Sequence, residues 1–330
     1  MRQIQVAVIG GGLAGLTTAH LLKKRCSIFG NEAEIEVSLF ETSSNLSNEH
    51  VPLSIADTEH EIISLVKELG IGLVPDSHKG YLPCSELMAV MVSEILLLKS
   101  EKLINQPKDW STKQDQRLDS LDSMSIVHYF VEKGKNADEV RSLLQMSCLG
   151  NYADDFDNLS ALDALRFLSQ YLNCKLTYSI KGGYDGLLCA LAESIDSDQQ
   201  RVFFNKAVRD IESVGNKRRI VFADGRSQLF DYVVINKPNK QVYFKPGERR
   251  SMVQETQSKD DLLQVSRFAS INAPASMNGA VRSAYRVVNH FLLPAIQSLL
   301  SNKDEALTPK VPMAVFTSGN DSTLEEETTT

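Results

Sequence analysis

Three consecutive glycines, Gly10, Gly11 and Gly12, stand in the stretch VAVIGGGLAGLTTAHLL (Val6 to Leu22), where an apolar run turns into a helical pattern. With Gly15 they form Gly10-x-Gly12-x-x-Gly15. Residues of this type at this spacing suit phosphate binding: glycine turns tightly, and a helix N-terminus just beyond it offers free N–H groups and a partial positive charge. The spacing predicts that Gly10 makes the turn, Gly12 lets the backbone approach a pyrophosphate and Gly15 lets helix and strand pack closely. Gly11, Leu13 and Ala14 complete the loop and the first helical turn of the same candidate site. Glu41 closes a second apolar run, IEVSLFE, where a carboxylate can accept two hydrogen bonds from ribose hydroxyls. It follows Gly15 by 26 residues, more than the usual interval of about 20, and the polar insert RCSIFGNEAE accounts for the excess. Together these residues predict a dinucleotide site without choosing between NAD and FAD.

The elements that must position them follow from periodicity. Ile4 to Ile9 reads as a short strand buried on both faces, Leu13 to Lys23 as a helix, and Ile35 to Glu41 as a second strand, a βαβ opening that implies a parallel sheet. A helix is expected between about Glu59 and Glu68, closed by Gly70 and Gly72, and another over Ser85 to Ile104, with a polar loop from Asn105 to Leu118. Residues 119 to 176 read as all-helical, in the segments SMSIVHYFVEKG, DEVRSLLQMSCLG and NLSALDALRFLSQYL, with Asp138, Asn158 and Ser160 as caps. From Thr177 the pattern changes: TYSIKGGYDGLLCALAESID is a turn into a helix, VFFNKAVRDIESV a strand pair, RRIVFADGR a strand ending in an Asp-Gly turn and YVVIN a short buried strand. After Pro238 about 25 polar residues carry no clear period. The last helix is NGAVRSAYRVVNHFLLPAIQSLL, interrupted by Pro294, and the acidic TSGNDSTLEEETTT is too poor in apolar residues to order itself.

The totals exclude several function classes. A chain of 330 residues, 42% hydrophobic, can bury a sizeable core and is long enough for two domains. Its net charge is -7 and no Lys/Arg run exceeds three or four residues, so the basic footprint of a nucleic-acid binder is missing. Five cysteines (Cys26, Cys84, Cys148, Cys174 and Cys189) form no C-x-x-C pair, which suits reduced thiols, each expected as a small buried hydrophobe. The chain enters a strand pattern after five residues without a basic n-region, and its longest apolar stretch is broken by Gly, Thr and His20. A cytoplasmic protein with no membrane span is expected.

IGGGLAGLTTAHLL followed by VSLFETS resembles the opening of the flavin-containing amine oxidase family, which includes protoporphyrinogen oxidase and phytoene-desaturase-like enzymes. LVKELGI is similar to the helix and turn after the family's first unit, and SMSIVHYFVEKG with SALDALRFL resembles its helical substrate subdomain. YSIKGGYDGLLCALAESI, VFFNKAVRDIESV, FADGRSQLFDYVVIN and NGAVRSAYRVVNHF resemble later family segments in the same order, over roughly residues 4 to 292. The resemblance favours FAD over NAD. It implies that Gly10, Gly12, Gly15, Glu41 and Val208 hold the adenine dinucleotide half, Val208 by pairing its backbone with the adenine, and that Gly279 and Ala280 lie near the flavin end. Ser47, Asn48 and Glu49 stand where the family carries Gly, Gly and Arg, Asn272 stands near the position of an acidic GD, and the 237 to 267 interval is short.

Other constellations point to no further chemistry. There is no metal-spaced His/Cys cluster, Ser/His/Asp arrangement or P-loop. His20 and His128 read as packed or surface histidines, Asp154 and Asp155 as a turn and cap, and Trp110, in a polar loop, equally as a cover for an apolar patch or as a residue facing a substrate. Lys237, Lys240 and Tyr243 read as solvated. No catalytic residue is assigned. The fold expected is α/β, a Rossmann-like FAD/NAD(P)-binding domain with an inserted helical subdomain. Residues 1–75, 178–240 and 265–300 would form the FAD-binding domain, 80–177 the helical substrate subdomain and 301–330 a flexible tail. The function expected is FAD-dependent oxidation of a small-molecule substrate by hydride transfer. The alternative is a diverged FAD-fold protein acting as a binding or accessory protein.

Overall fold

A computed structural model describes residues 2–44, 46, 54–76, 85–100, 116–146, 155–172, 174–195, 201–236, 263–265 and 277–301. The chain opens with β1 (Arg2–Ile9), α1 (Leu13–Arg25), a short 3-10 turn (Cys26–Phe29) and β2 (Ala33–Phe40). β1 and β2 run parallel, Ile9 level with Phe40. α1 is buried from Leu13 to Leu22 except at His20, because it is covered on several sides, and its Lys and Arg residues are confined to the last turn, where Lys23, Lys24 and Arg25 suit the negative end of the helix dipole.

Two more strands, β3 (Ser54–Ala56) and β4 (Leu73–Pro75), flank α2 (His60–Glu68). α2 buries Ile62, Leu65 and Val66 at helical spacing and is followed by Gly70 at φ +72°, a conformation that costs a glycine little. Five helices come next among the described residues: α3 (Glu86–Ser100), α4 (Gln116–Ser123), α5 (Ile126–Glu132), α6 (Ala137–Met146) and α7 (Ala161–Tyr171). Ser160 caps α7 by accepting from the Asp163 N–H, as its position predicts. The cap of α6 is Asn136, not Asp138: its Oδ1 accepts from the Asp138 and Glu139 N–H groups. Asp138 is already the second residue of the helix, and its own N–H is one of those that Asn136 caps. Gln116 to Leu118, expected in a loop, open α4.

The second half begins with β5 (Thr177–Ile180) and α8 (Gly183–Ile195). The TYSI segment is therefore a strand rather than a turn, lying between β3 and β4 in an antiparallel sheet whose other strands come from more than 100 residues earlier. β6 (Val202–Phe203) and β7 (Val208–Val214) do not pair with each other as the sequence suggested. β6 joins the parallel sheet beside β2, and β7 forms a separate antiparallel sheet with β8 (Lys217–Phe222) and β9 (Ser227–Phe230). β10 (Tyr232–Asn236) returns to the other side of β1, followed by β11 (Leu263–Val265), so the five-stranded parallel sheet has the order β11-β10-β1-β2-β6.

The last described elements are α9 (Met277–Arg286), a π-helical stretch over Val287–Leu292 and α10 (Leu293–Ser301). Pro294 has no N–H to give to the preceding turn, and the widened π turn absorbs that missing bond while the helical path continues. One apolar core joins the parallel sheet, α1, α2, α8 and α9. A second draws only on α3 to α7 and their connections, from Met88 to Leu168. A third, around Phe40, Phe222 and Phe230, joins the parallel sheet to the β7-β8-β9 sheet. Cys189 is exposed and Cys174 half-buried, both free; the expectation of buried thiols is met at neither, at Cys189 because α8 turns that side outward. No described helix is long and apolar enough to cross a membrane.

Candidate active site

The order of the parallel sheet creates a crevice at the carboxyl ends of its central strands. β1 is followed by a helix that crosses to β2 on one side, while β10 flanks it on the other, so the connections diverge at the end of β1, and in such sheets ligands bind at that point. Gly10 follows β1 there. Its N–H donates to the Phe40 carbonyl at 2.8 Å, and its φ of +102° makes the turn that a side chain would strain. A β-carbon on Gly15 would run into the Gly10 carbonyl oxygen, so the first turn of α1 rests directly on the loop. Leu13, Ala14 and Gly15 are all buried in that turn, which contains no acidic residue to repel an anion.

Glu41 leaves the end of β2 and turns toward the loop. Its Oε2 accepts from the Gly11 N–H at 2.5 Å, and its Oε1 accepts from the Ser43 N–H at 2.9 Å and the Ser43 hydroxyl at 3.0 Å. A carboxylate has about four acceptor sites, so Glu41 keeps capacity for a hydroxyl on Oε2, and a second would displace the Ser43 hydroxyl. A β-carbon on Gly11 would meet Glu41 Oε2 at 2.9 Å, which is why the acid and the loop can touch at all.

Val208 reaches this end of the sheet through the backbone. The Glu41 N–H donates to the Phe203 carbonyl at 2.8 Å, the Lys206 N–H donates to the Glu41 carbonyl at 2.9 Å, and the Asn205 N–H donates to the Ser43 carbonyl at 3.1 Å. Asn205 adopts φ 54°, a left-handed turn that asparagine tolerates, and it carries the chain from β6 into β7. Val208 opens β7 opposite Phe222 and packs on the Phe40 cluster. Phe40 stacks on Phe203 at 5.2 Å and meets Phe222 at 4.9 Å, so the residue before Glu41 anchors the segment that leads to Val208.

Gly279 and Ala280 stand in the first turn of α9, which packs along α1 and α2. The buried Asn278 beside them accepts from the Ile62 N–H at 2.9 Å and donates to Glu61 at 2.8 Å, while Glu61 pairs with Arg282 at 2.8 Å, so the beginnings of α2 and α9 are tied together. The structure thus brings Gly10, Gly11, Gly12, Gly15, Glu41 and the approach to Val208 to one end of the parallel sheet, whereas Gly279 and Ala280 share with them the neighbour α1. Ser47, Asn48, Glu49, Asn272, Lys237, Lys240, Tyr243, Trp110 and Asp154 lie outside the described residues.

The histidines take the roles expected of them. His20 bridges Ser194 at 2.8 Å and Glu68 at 3.0 Å, and His128 is exposed beside Glu132. Asp155 makes a turn by accepting from the Asp157 N–H and the Asn158 amide. No group of three or more metal-ligating side chains occurs among the described residues. One residue at the site was missed: Asn236, which ends β10 against Gly10, Gly12 and Gly15. A polar residue closing the buried strand YVVIN was the available signal, but only the pairing of β10 with β1 puts it at the loop.

Residues 75–273 match the family model for flavin containing amine oxidoreductase. Among solved structures, the chain is similar to a triple mutant of putrescine oxidase, from a structure-based redesign of its cofactor binding, with TM-score 0.55 and 18% identity over 72% of this chain and 58% of that one. It is similar to the wild-type putrescine oxidase bound to putrescine with TM-score 0.54, 18% identity and the same coverage. A double mutant of that enzyme gives TM-score 0.55 and 17% identity over 77% of this chain and 64% of that one. At these identities the likeness is one of fold, and the chain spans less than two thirds of the length of these oxidases. No curated protein sequence matches it.

Proposed function

The chain belongs to the flavin-containing amine oxidoreductase family, and on that premise we propose that it is an FAD-dependent oxidoreductase of the amine-oxidase type, acting on a small organic substrate. The observation that carries this reading is the meeting of Glu41 with the glycine loop, Gly11 N–H to Oε2 at 2.5 Å, at the diverging strand ends of a parallel sheet. That arrangement fits the adenosine diphosphate half of FAD: N–H groups at the start of α1 for the phosphates, no side chain on Gly12 to block them, and a carboxylate for the ribose. When bound, the flavin would take a hydride from a C–N or C–C bond of the substrate.

The protein's own part is to hold and orient. Gly10 to Gly15 and Glu41 would fix the dinucleotide, the chain at Val208 would border the adenine, and Gly279 and Ala280 would lie toward the flavin. The separate apolar core of α3 to α7 supports a division of labour, with 1–75, 178–240 and 265–300 holding the cofactor and 80–177 facing the substrate. The free thiols of Cys174 and Cys189 support a reducing compartment such as the cytoplasm, and the net charge of -7 argues against nucleic acid as a partner.

The test is the visible spectrum of the purified protein. Flavin absorption bands, with the cofactor released on denaturation, are expected, and Glu41→Ala should weaken FAD binding by about tenfold or more, the scale of hydrogen bonds to a charged group. A colourless protein whose melting temperature FAD does not raise would overturn the reading.

A further inference from the structure

Asn236 and Glu41 flank Gly10 from opposite sides. Ile9 is level with Phe40 on β2 and with Ile235 on β10, so the next residue of each neighbouring strand stands beside the first glycine of the loop. Glu41 is the expected one of the pair, and Asn236 is its counterpart. Its Cβ would lie 3.2 Å from a β-carbon on Gly10 or on Gly15, and its Nδ2 would lie 2.6 Å from one on Gly12. The side chain therefore starts under the turn and ends over Gly12, the position left bare for an approaching ligand. The carboxamide is only partly buried, and it makes no hydrogen bond to another described residue.

The geometry points to Asn236 as a ligand-binding residue whose carboxamide N–H donates to the diphosphate of the dinucleotide. This rests on the FAD reading above and adds to it a side chain that reads the diphosphate itself. The physical reason is the company the carboxamide keeps. On the Glu41 side the loop offers an anion suited to hydroxyls, while on the Asn236 side it offers backbone N–H groups at a helix start, to which a neutral donor adds without leaving a buried charge when the site is empty. A carboxylate of the same shape at position 236 would put a negative charge against the phosphates.

The test is titration calorimetry with FAD, ADP and adenosine on the wild-type protein, Asn236→Asp and Asn236→Ala, with ligand-free melting temperatures as the check of folding. Asn236→Asp should weaken FAD and ADP by about tenfold or more and leave adenosine unchanged, and Asn236→Ala should weaken FAD and ADP by a smaller factor. Should Asn236→Asp not fold, the alanine variant decides by the same comparison of ADP with adenosine. Wild-type affinity for ADP in the folded variants, or an equal loss for adenosine, would overturn the inference. A wild-type protein that binds ADP but not FAD would remove the flavin reading and leave the diphosphate contact supported or refuted by ADP alone. Binding of neither would overturn both.

Discussion

A β-carbon at Gly15 would collide with the Gly10 carbonyl oxygen, whereas at Gly12 it would meet Asn236 Nδ2 at 2.6 Å. The first obstacle is backbone held by the β1 turn, and the second is the end of a side chain that can rotate. Gly15→Ala is therefore expected to cost about 1–3 kcal/mol of stability, as overpacking does, and Gly12→Ala distinctly less. Adding Asn236→Ala to Gly12→Ala should recover part of what remains, a coupling that urea unfolding of the four proteins in the cycle would read directly. Equal costs at the two glycines, with no coupling to position 236, would contradict the contacts described. The glycines and Glu41 were legible in the sequence because their signal is local, a run of residue types with fixed spacing between a strand and a helix. Asn236 was not, because its role depends on which strand lies beside β1.

Elements are tied to one another by polar bridges as well as by apolar packing. His20 on α1 contacts Ser194 on α8 and Glu68 on α2, and Lys24 adds a cation to Glu68 at 2.7 Å. Burial by itself raises the Glu68 pKa, but the hydrogen bonds from Lys24 and His20 prevail and hold the carboxyl below its usual range. A carboxyl lowered in the folded state contributes stability that is present above its ordinary pKa and is lost as pH falls through the folded value. Glu68→Gln should therefore reduce stability at neutral pH by less than about 1 kcal/mol, the scale of a partly exposed pair, and the difference from wild type should shrink in acid, as the pH falls below the ordinary glutamate pKa of about 4.3 and through the lower folded value. Urea midpoints at neutral and acid pH measure it, and a difference that persists in acid would assign the effect to packing. At this scale the long periodic helices were readable, but β3, β4 and β5 were not. Strands of three or four residues carry too little pattern to declare themselves.

Across the whole molecule, the Phe40 cluster couples the β7-β8-β9 sheet to the parallel sheet, and with it the segment that reaches Val208. Phe130 is equally well buried but belongs to the helical core of α3 to α7. Phe40→Ala and Phe130→Ala should each cost about 3–5 kcal/mol, the scale of removing a buried phenylalanine. Only Phe40→Ala should also weaken FAD binding in the protein that remains folded. Chemical denaturation paired with flavin titration distinguishes them, and an equal loss of affinity in both variants would show that the two cores are not independent supports of the site.

The sequence by itself determined the opening βαβ unit, the glycine loop, the acid that follows the second strand and the succession of helices. Each depends on contacts between residues close in the chain, where spacing translates directly into geometry. Only the tertiary structure decided that β10 flanks β1 on the side away from β2, that TYSI is a central strand and that the chain near Val208 hangs from Glu41. Those relations join residues more than 100 positions apart, and strand pairing is chosen by the mutual burial of surfaces that no local pattern records.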